Sequence, residues 1–255
     1  MSGLRHFGLG SWTLCERELV RFFRQRSRVI GAVLPPVLFW FLIGSGLGQS
    51  FRGANYLQYF FPGTIVLIVL FTAIFSTISI IEDRHAGFLQ SALVAPLSRV
   101  TIVTGKIAGS AFLALIHALP FLLLAPLAGI HIPVANWLPV IGLLAALSVG
   151  LAGLGFLLAW RLDSTQGFHA IMNLFLIPMW LLSGALFPPS GSAAWIRVAM
   201  QVNPLTYGVL GLQKSFWVDG IPLAQSAVSF GACFGVTLGF AVAMVAASMV
   251  AARQN

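Results

Sequence analysis

Residues 60–81 read FFPGTIVLIVLFTAIFSTISII, and the next three are Glu82, Asp83 and Arg84. That run is 22 residues long and carries no charge. A helix rises 1.5 Å per residue and needs about 20 mainly apolar residues to cross roughly 30 Å of hydrocarbon. The stretch shows neither the two-residue alternation of a half-buried strand nor the single apolar stripe of a surface helix. It predicts a transmembrane helix, closed on one side by charge.

Working outward, five further segments meet the same test once charges and Pro/Gly-rich breaks are taken as boundaries: 29–48, 101–130, 137–160, 168–187 and 224–252. The third and sixth spans in chain order are long enough to tilt, kink or project beyond the bilayer. Pro35 and Pro36 in the first span, and Pro120 and Pro126 in the third, are expected to kink their helices. The whole chain of 255 residues is 58% hydrophobic and 8% charged, against about a quarter charged in a soluble domain. Its solvent is therefore lipid. Fourteen basic residues face six acidic ones, but the basic groups are scattered between apolar runs and form no patch for nucleic acid. Cys15 and Cys233 are expected at different depths, and neither a disulfide nor a metal site is expected.

Residues 1–28 interleave charge throughout, unlike a cleavable signal peptide. Trp12, Cys15, Leu19, Phe22 and Phe23 recur at helical spacing, which predicts an amphipathic helix in the membrane interface. With the N-terminus inside, eleven basic residues fall on the cytoplasmic side and three, Arg52, Arg197 and Lys214, outside. The positive-inside rule then places both termini in the cytoplasm of a multi-pass inner-membrane protein. Gly231, Gly235 and Gly239 form a four-residue small-residue row in the last span, suited to close packing within the chain or between copies. The expected fold is all-α: six transmembrane helices, the N-terminal interfacial helix over 1–28, and short external re-entrant or capping helices before the last span. Residues 29–255 form one membrane domain.

Two segments outside the spans hold most of the functional information. The cytoplasmic loop 82–99 begins Glu82-Asp83-Arg84 and continues through Gly87, Phe88, Leu89, Leu93, Pro96 and Arg99. Phe88, Leu89 and Leu93 share a short helical face that Pro96 terminates, a pattern for docking on a membrane or in a partner's groove. The charges at 82–84 read as exposed ion pairs that orient this helix. The external segment 188–217 holds apolar pieces too short to cross, joined at Asn203-Pro204 and followed by Tyr207. Such pieces cap a membrane domain. His117 and Asn173 are the polar side chains placed deepest in apolar spans, as pathway or packing groups.

No catalytic or cofactor-binding residue is indicated. A P-loop needs Gly, four residues, then Gly-Lys-Ser/Thr, whereas Gly105-Lys106 follows Val100 and precedes Ile107. An intramembrane serine protease needs Gly-x-Ser-Gly, whereas Ser183-Gly184 follows Leu181.

The order of an acidic and basic cluster, Gly87, an apolar pair, Leu93, Pro96, Ser98 and Arg99 resembles the coupling helix of ABC-2 type permeases, most closely the daunorubicin-resistance type. The likeness covers the chain: N-terminal amphipathic helix, six spans, the loop after span two and the Asn-Pro external segment. Gln90 departs from it, standing where many such permeases carry an acidic residue. The resemblance implies a permease subunit of an ATP-driven exporter that moves a hydrophobic or amphipathic drug, lipid or lipid-linked glycan. It implies a separate ABC ATPase that binds the ATP, and a second permease copy as homodimer or homologous heterodimer, among membrane lipids. The alternatives are an ion-coupled secondary transporter and a non-transporting membrane assembly factor. Ion coupling usually needs acidic groups within the membrane, and none of the six acidic residues falls deep in an expected span.

Overall fold

The long apolar runs become long helices in the computed structural model, which describes residues 2–46, 55–88 and 98–254. In chain order these are α1 Ser2–Arg24, α2 Arg26–Gly46, α3 Tyr56–His85, α4 Arg99–Leu122, α5 Val134–Arg161 and α6 Thr165–Trp180. A π turn, Leu181–Ala185, continues α6; α7 Ala194–Val202, α8 Pro204–Ser215 and α9 Phe230–Gln254 follow. Six of these segments are long and apolar enough to span a membrane: α2, α3, α4, α5, α6 with its π turn, and α9. Each coincides with one span expected from sequence, and the chain is a multi-pass membrane protein.

The decisive stretch is the hub. From Phe60 to Ile81 every residue is buried except the half-buried Phe71 and Phe75, because a helix apolar all round finds partners all round. α2, α4, α5 and α6 pack on it, α9 packs on α5, and α1 packs on α4. Small residues set the closest approaches, as membrane helices require in the absence of a hydrophobic drive between them. A Cβ on Gly153 would lie 3.0 Å from the Met244 Cβ of α9, and Ser248 donates to the Gly153 carbonyl at 3.0 Å.

The structure revises several boundaries. The third span stops at Leu122, not at 130. Pro126 opens a 3-10 turn, Ala125–Ala128, and Gly129 at φ +71° turns the chain away. His131 then pairs with Trp217 through N–H···O bonds of 2.7 and 2.8 Å. The last helix begins at Phe230 instead of 224. A hairpin precedes it, with β1 Trp217–Val218 pairing antiparallel with β2 Ile221–Pro222 around Asp219 and Gly220. Both turn residues have positive φ, 50° and 78°, the requirement of a type I′ turn and the reason Asp-Gly suits it. Pro35 and Pro36 lie inside one helical element, α2. Gly231, Gly235 and Gly239 sit on an exposed face of α9, with open space around Gly235 and Gly239, so the row is not used for packing within the chain.

Candidate functional site

The end of α3 that leads into the 82–99 loop carries a charge cluster that draws α1, α2 and α4 together. Three of its members are nearly inaccessible: Glu18 at 2%, Asp83 at 1% and Lys106 at 2% exposed. Lys106, on α4, donates to Glu18 Oε1 at 2.5 Å, to Ser79 Oγ at 3.3 Å and to Asp83 Oδ2. All three ammonium protons therefore have acceptors. Ser79 in turn donates to the other Glu18 oxygen at 2.5 Å.

Arginines of α1 close the outer side of the cluster. Arg17 makes a two-pronged contact with Asp83 at 2.7 and 2.8 Å. Arg21 bridges Asp83 and Glu82, each at 2.6 Å. Arg28, at the start of α2, reaches the other Glu82 oxygen. The Asp83 hydrogen bond and the nearby Asp83 and Glu18 charges raise the Arg17 pKa above its ordinary value against the cost of burial. Four cations thus surround three carboxylates, and charge that is costly out of water is almost balanced. The charges at Glu82, Asp83 and Arg84 are accordingly not exposed ion pairs, as the sequence suggested: Asp83 is buried and the other two are only part-exposed.

The loop leaves this cluster abruptly. Ala86 caps α3, and Gly87 at φ +72° takes the left-handed position that ends many helices. Phe88 is half-buried with its ring 3.7 Å from the Arg17 guanidinium carbon, so Arg17 grips both Asp83 and the first apolar loop residue. Arg84 turns the other way, to Asp163 at 2.6 Å and to the Trp160 and Leu162 carbonyls at 2.6 and 3.1 Å. His85 bonds the Asp163 carbonyl at 2.6 Å. At the far end of the loop, Ser98 caps α4 by accepting from the Thr101 amide, and Arg99 donates to Ala252 O of α9 at 2.7 Å. Both ends of the loop are therefore pinned to the bundle. Leu89, Leu93 and Pro96 lie outside the described residues.

At the opposite end of α3, Asn203 caps α8, with Pro204 at its first turn. Its amide donates to the Met179 and Leu182 carbonyls at 2.5 and 3.0 Å, while Tyr207 donates to Gln201 O at 2.9 Å. α8 is inserted against α5 and α9: Gly208 meets Leu147, and Gly211 meets Leu143 and Cys233. The two sequence-selected intramembrane polar groups part company. His117 Nδ1 bonds its own helix at Leu113 O, 2.9 Å away, and the ring packs 5.4 and 5.8 Å from Phe22 and Phe23 of α1. Asn173 is exposed on α6 beside Leu174 and Phe175.

Sequence reasoning missed Glu18 and Lys106. On α1 the charge at Glu18 reads as part of the polar face, although Leu14, Cys15 and Phe22 beside it are buried against α4. The available signal was Lys106 itself, a lone cation inside an apolar helix, which requires a counter-charge from another element.

Residues 11–217 match the model of a family described as ABC-2 type transporter. The ycf38 protein of Cyanophora paradoxa is 30% identical over 205 residues, covering 78% of this chain and 71% of that one. Nodulation protein J of Sinorhizobium fredii is 30% identical over 200 residues, covering 72% and 71%. Daunorubicin resistance ABC transporter permease protein DrrB1 of Streptomyces coeruleorubidus is 21% identical over 226 residues, covering 83% and 78%.

Proposed function

Because this chain belongs to the ABC-2 type transporter family, we propose that it is the permease subunit of an ATP-driven exporter whose ATP is hydrolysed by a separate subunit docked on the 82–99 loop. The observation that carries this reading is the Arg17 grip. The guanidinium lies over Phe88, at the root of the loop, and holds Asp83, which shares Lys106 with Glu18. A partner that moved the loop would therefore pull on α1, α3 and α4 together. Buried charge pairs favour a few well-defined arrangements over continuous deformation, as a force-transmitting joint requires.

The cargo of this reading is hydrophobic or amphipathic and moves outward across the inner membrane. Support comes from the name of DrrB1, which is that of a daunorubicin-resistance permease, and from the apolar and aromatic character of α2, α3 and α6. The termini lie in the cytoplasm by the excess of positive charge there. An ion-coupled transporter fits less well: Asp83 and Glu18 are held by cations, and Asp83 lies only two residues before His85, the last residue of α3.

The test is a Phe88→Ala, Leu93→Ala double variant. Each large apolar side chain buried at a docking face is worth about 1.5–3 kcal/mol. We expect the variant to insert at normal levels and to lose pull-down of the ATPase and stimulation of its turnover. Full binding and full transport would remove the docking assignment, and export driven by an ion gradient with no ATPase present would remove the function.

A further inference from the structure

The outer end of span five is a broken helix whose freed carbonyls are met one by one by side chains from elsewhere. After Trp180 the backbone leaves helical geometry at Leu182 and again at Gly184, where φ is +79°. A break of this kind releases carbonyl groups that lipid cannot satisfy. Asn203 donates to Met179 O and Leu182 O, Tyr59 donates to Gly184 O at 2.6 Å, and Tyr56 donates to Leu186 O at 2.7 Å. The reverse contact also exists: Trp180 Nε1 donates to Gly63 O at 2.8 Å. The fit between α3 and the break is so close that a Cβ on Gly63 would stand 2.9 Å from Ala185 Cα.

Beside the break lies a cavity of about 470 Å3, lined among others by Tyr59, Ser183, Gly184, Thr206, Val209 and Gln213. None of its described lining residues is charged. A Cβ built on Gly184 meets nothing within 4 Å. Space for the segment to move is therefore present on the cavity side, while the hydroxyls of Tyr56 and Tyr59 hold it from the α3 side.

We propose that Tyr56 and Tyr59, with Asn203, are positioning residues that latch the broken end of span five against α3, and that release of this latch opens the cavity during transport. Each of the two hydroxyls satisfies a carbonyl that must otherwise find water. Removing a hydroxyl leaves that carbonyl orphaned only while the segment is closed, so the balance shifts toward the open, hydrated arrangement. The latch requires only that this end of the bundle open; that it faces the exterior rests on the permease reading.

The experiment measures labelling by a membrane-impermeant maleimide in a Cys15→Ala, Cys233→Ala background. Ser183→Cys reports the break, since Ser183 is buried and bonds only its own helix at Trp180 O. Gln225→Cys, at an exposed position on the same end, reports which side of the membrane is being probed. Reagent is applied to right-side-out and inverted vesicles. Adding Tyr59→Phe should raise the Ser183→Cys labelling rate by roughly 5- to 150-fold, the range for an orphaned buried carbonyl. Tyr56→Phe should raise it less. Unchanged Ser183→Cys labelling in both variants, at normal insertion, overturns the latch; should Tyr59→Phe insert poorly, Tyr56→Phe decides. Labelling of Gln225→Cys from the cytoplasmic side would reverse the orientation in the permease reading and leave the latch to be read from that side.

Discussion

Lys106 shows how far a single residue can organise a membrane protein. An ammonium with no hydrogen-bond partners within an apolar helix would be prohibitively costly, and here Glu18, Ser79 and Asp83 accept its three protons. Replacing Lys106 by Met removes the charge at similar size and leaves Glu18 buried, with only Arg17 at 3.5 Å as a cationic partner. Breaking a buried pair in this way costs about 3–5 kcal/mol, whereas replacing both partners by apolar residues is often neutral. We therefore expect Lys106→Met to lower stability by about that amount, and Lys106→Met with Glu18→Met to restore most of it. A double-mutant cycle from denaturant unfolding in detergent checks this, and additive losses would show that the two groups are not coupled. At this scale the sequence was only partly legible. Glu82, Asp83 and Arg84 stood out because they end an uninterrupted apolar run, but their partners lie 23 to 79 positions away, where local periodicity carries no information.

At the scale of the element, α1 does two jobs with different faces. Leu9, Trp12, Val20 and Phe23 point outward, as a helix in a membrane interface requires. Leu14, Cys15, Glu18 and Phe22 face α4, where Gly105 and Gly109 leave room for them. A Cβ on Gly109 would come within 2.9 Å of Glu18 Cβ and 3.3 Å of Cys15 Cα, so Gly109→Val should lift α1 off α4. Cys15 is a built-in reporter. Burial first, and the Glu18 charge second, push its thiol pKa above the ordinary value. The reactive thiolate is then scarce at neutral pH and becomes abundant only as pH rises through the elevated pKa. Undocking removes the larger cause, burial, while Glu18 stays beside Cys15 on α1, so Gly109→Val should raise the Cys15 alkylation rate at pH 7 and shift its pH profile downward. An unchanged profile would mean that α1 stays docked. The six spans were legible because length and hydropathy suffice for them. The end of the third span and the 217–222 hairpin were not, although Asp219-Gly220 is a strong turn signal, because a stretch dense in Pro and Gly before the last span reads equally well as irregular cap.

For the whole molecule, the hub position of α3 leaves α2, α6 and α9 at the periphery, each with an apolar outward face. Most of such a surface needs only lipid. Asn173, an amide among the exposed Leu174, Phe175 and Ile177 of α6, needs more. Hydrocarbon offers its donors and acceptor nothing, and a second copy presenting the same face would offer an amide to each. A two-fold interface has this self-complementary character. The exposed Gly235 and Gly239 of α9 mark a competing face, where close backbone approach would replace hydrogen bonding. The two faces make opposite predictions. If α6 forms the seam, Asn173→Cys in a Cys15→Ala, Cys233→Ala background should give oxidative crosslinked dimers in native membranes, and Gly235→Cys should not. Asn173→Leu should weaken association by about 0.6–2 kcal/mol, the measured range for interhelical side-chain hydrogen bonds in membranes. Quantitative dilution into lipid vesicles, read by energy transfer between labelled copies, measures that loss. Crosslinking through Gly235→Cys alone would move the seam to α9, and transport by a species that remains monomeric under dilution would remove the dimer.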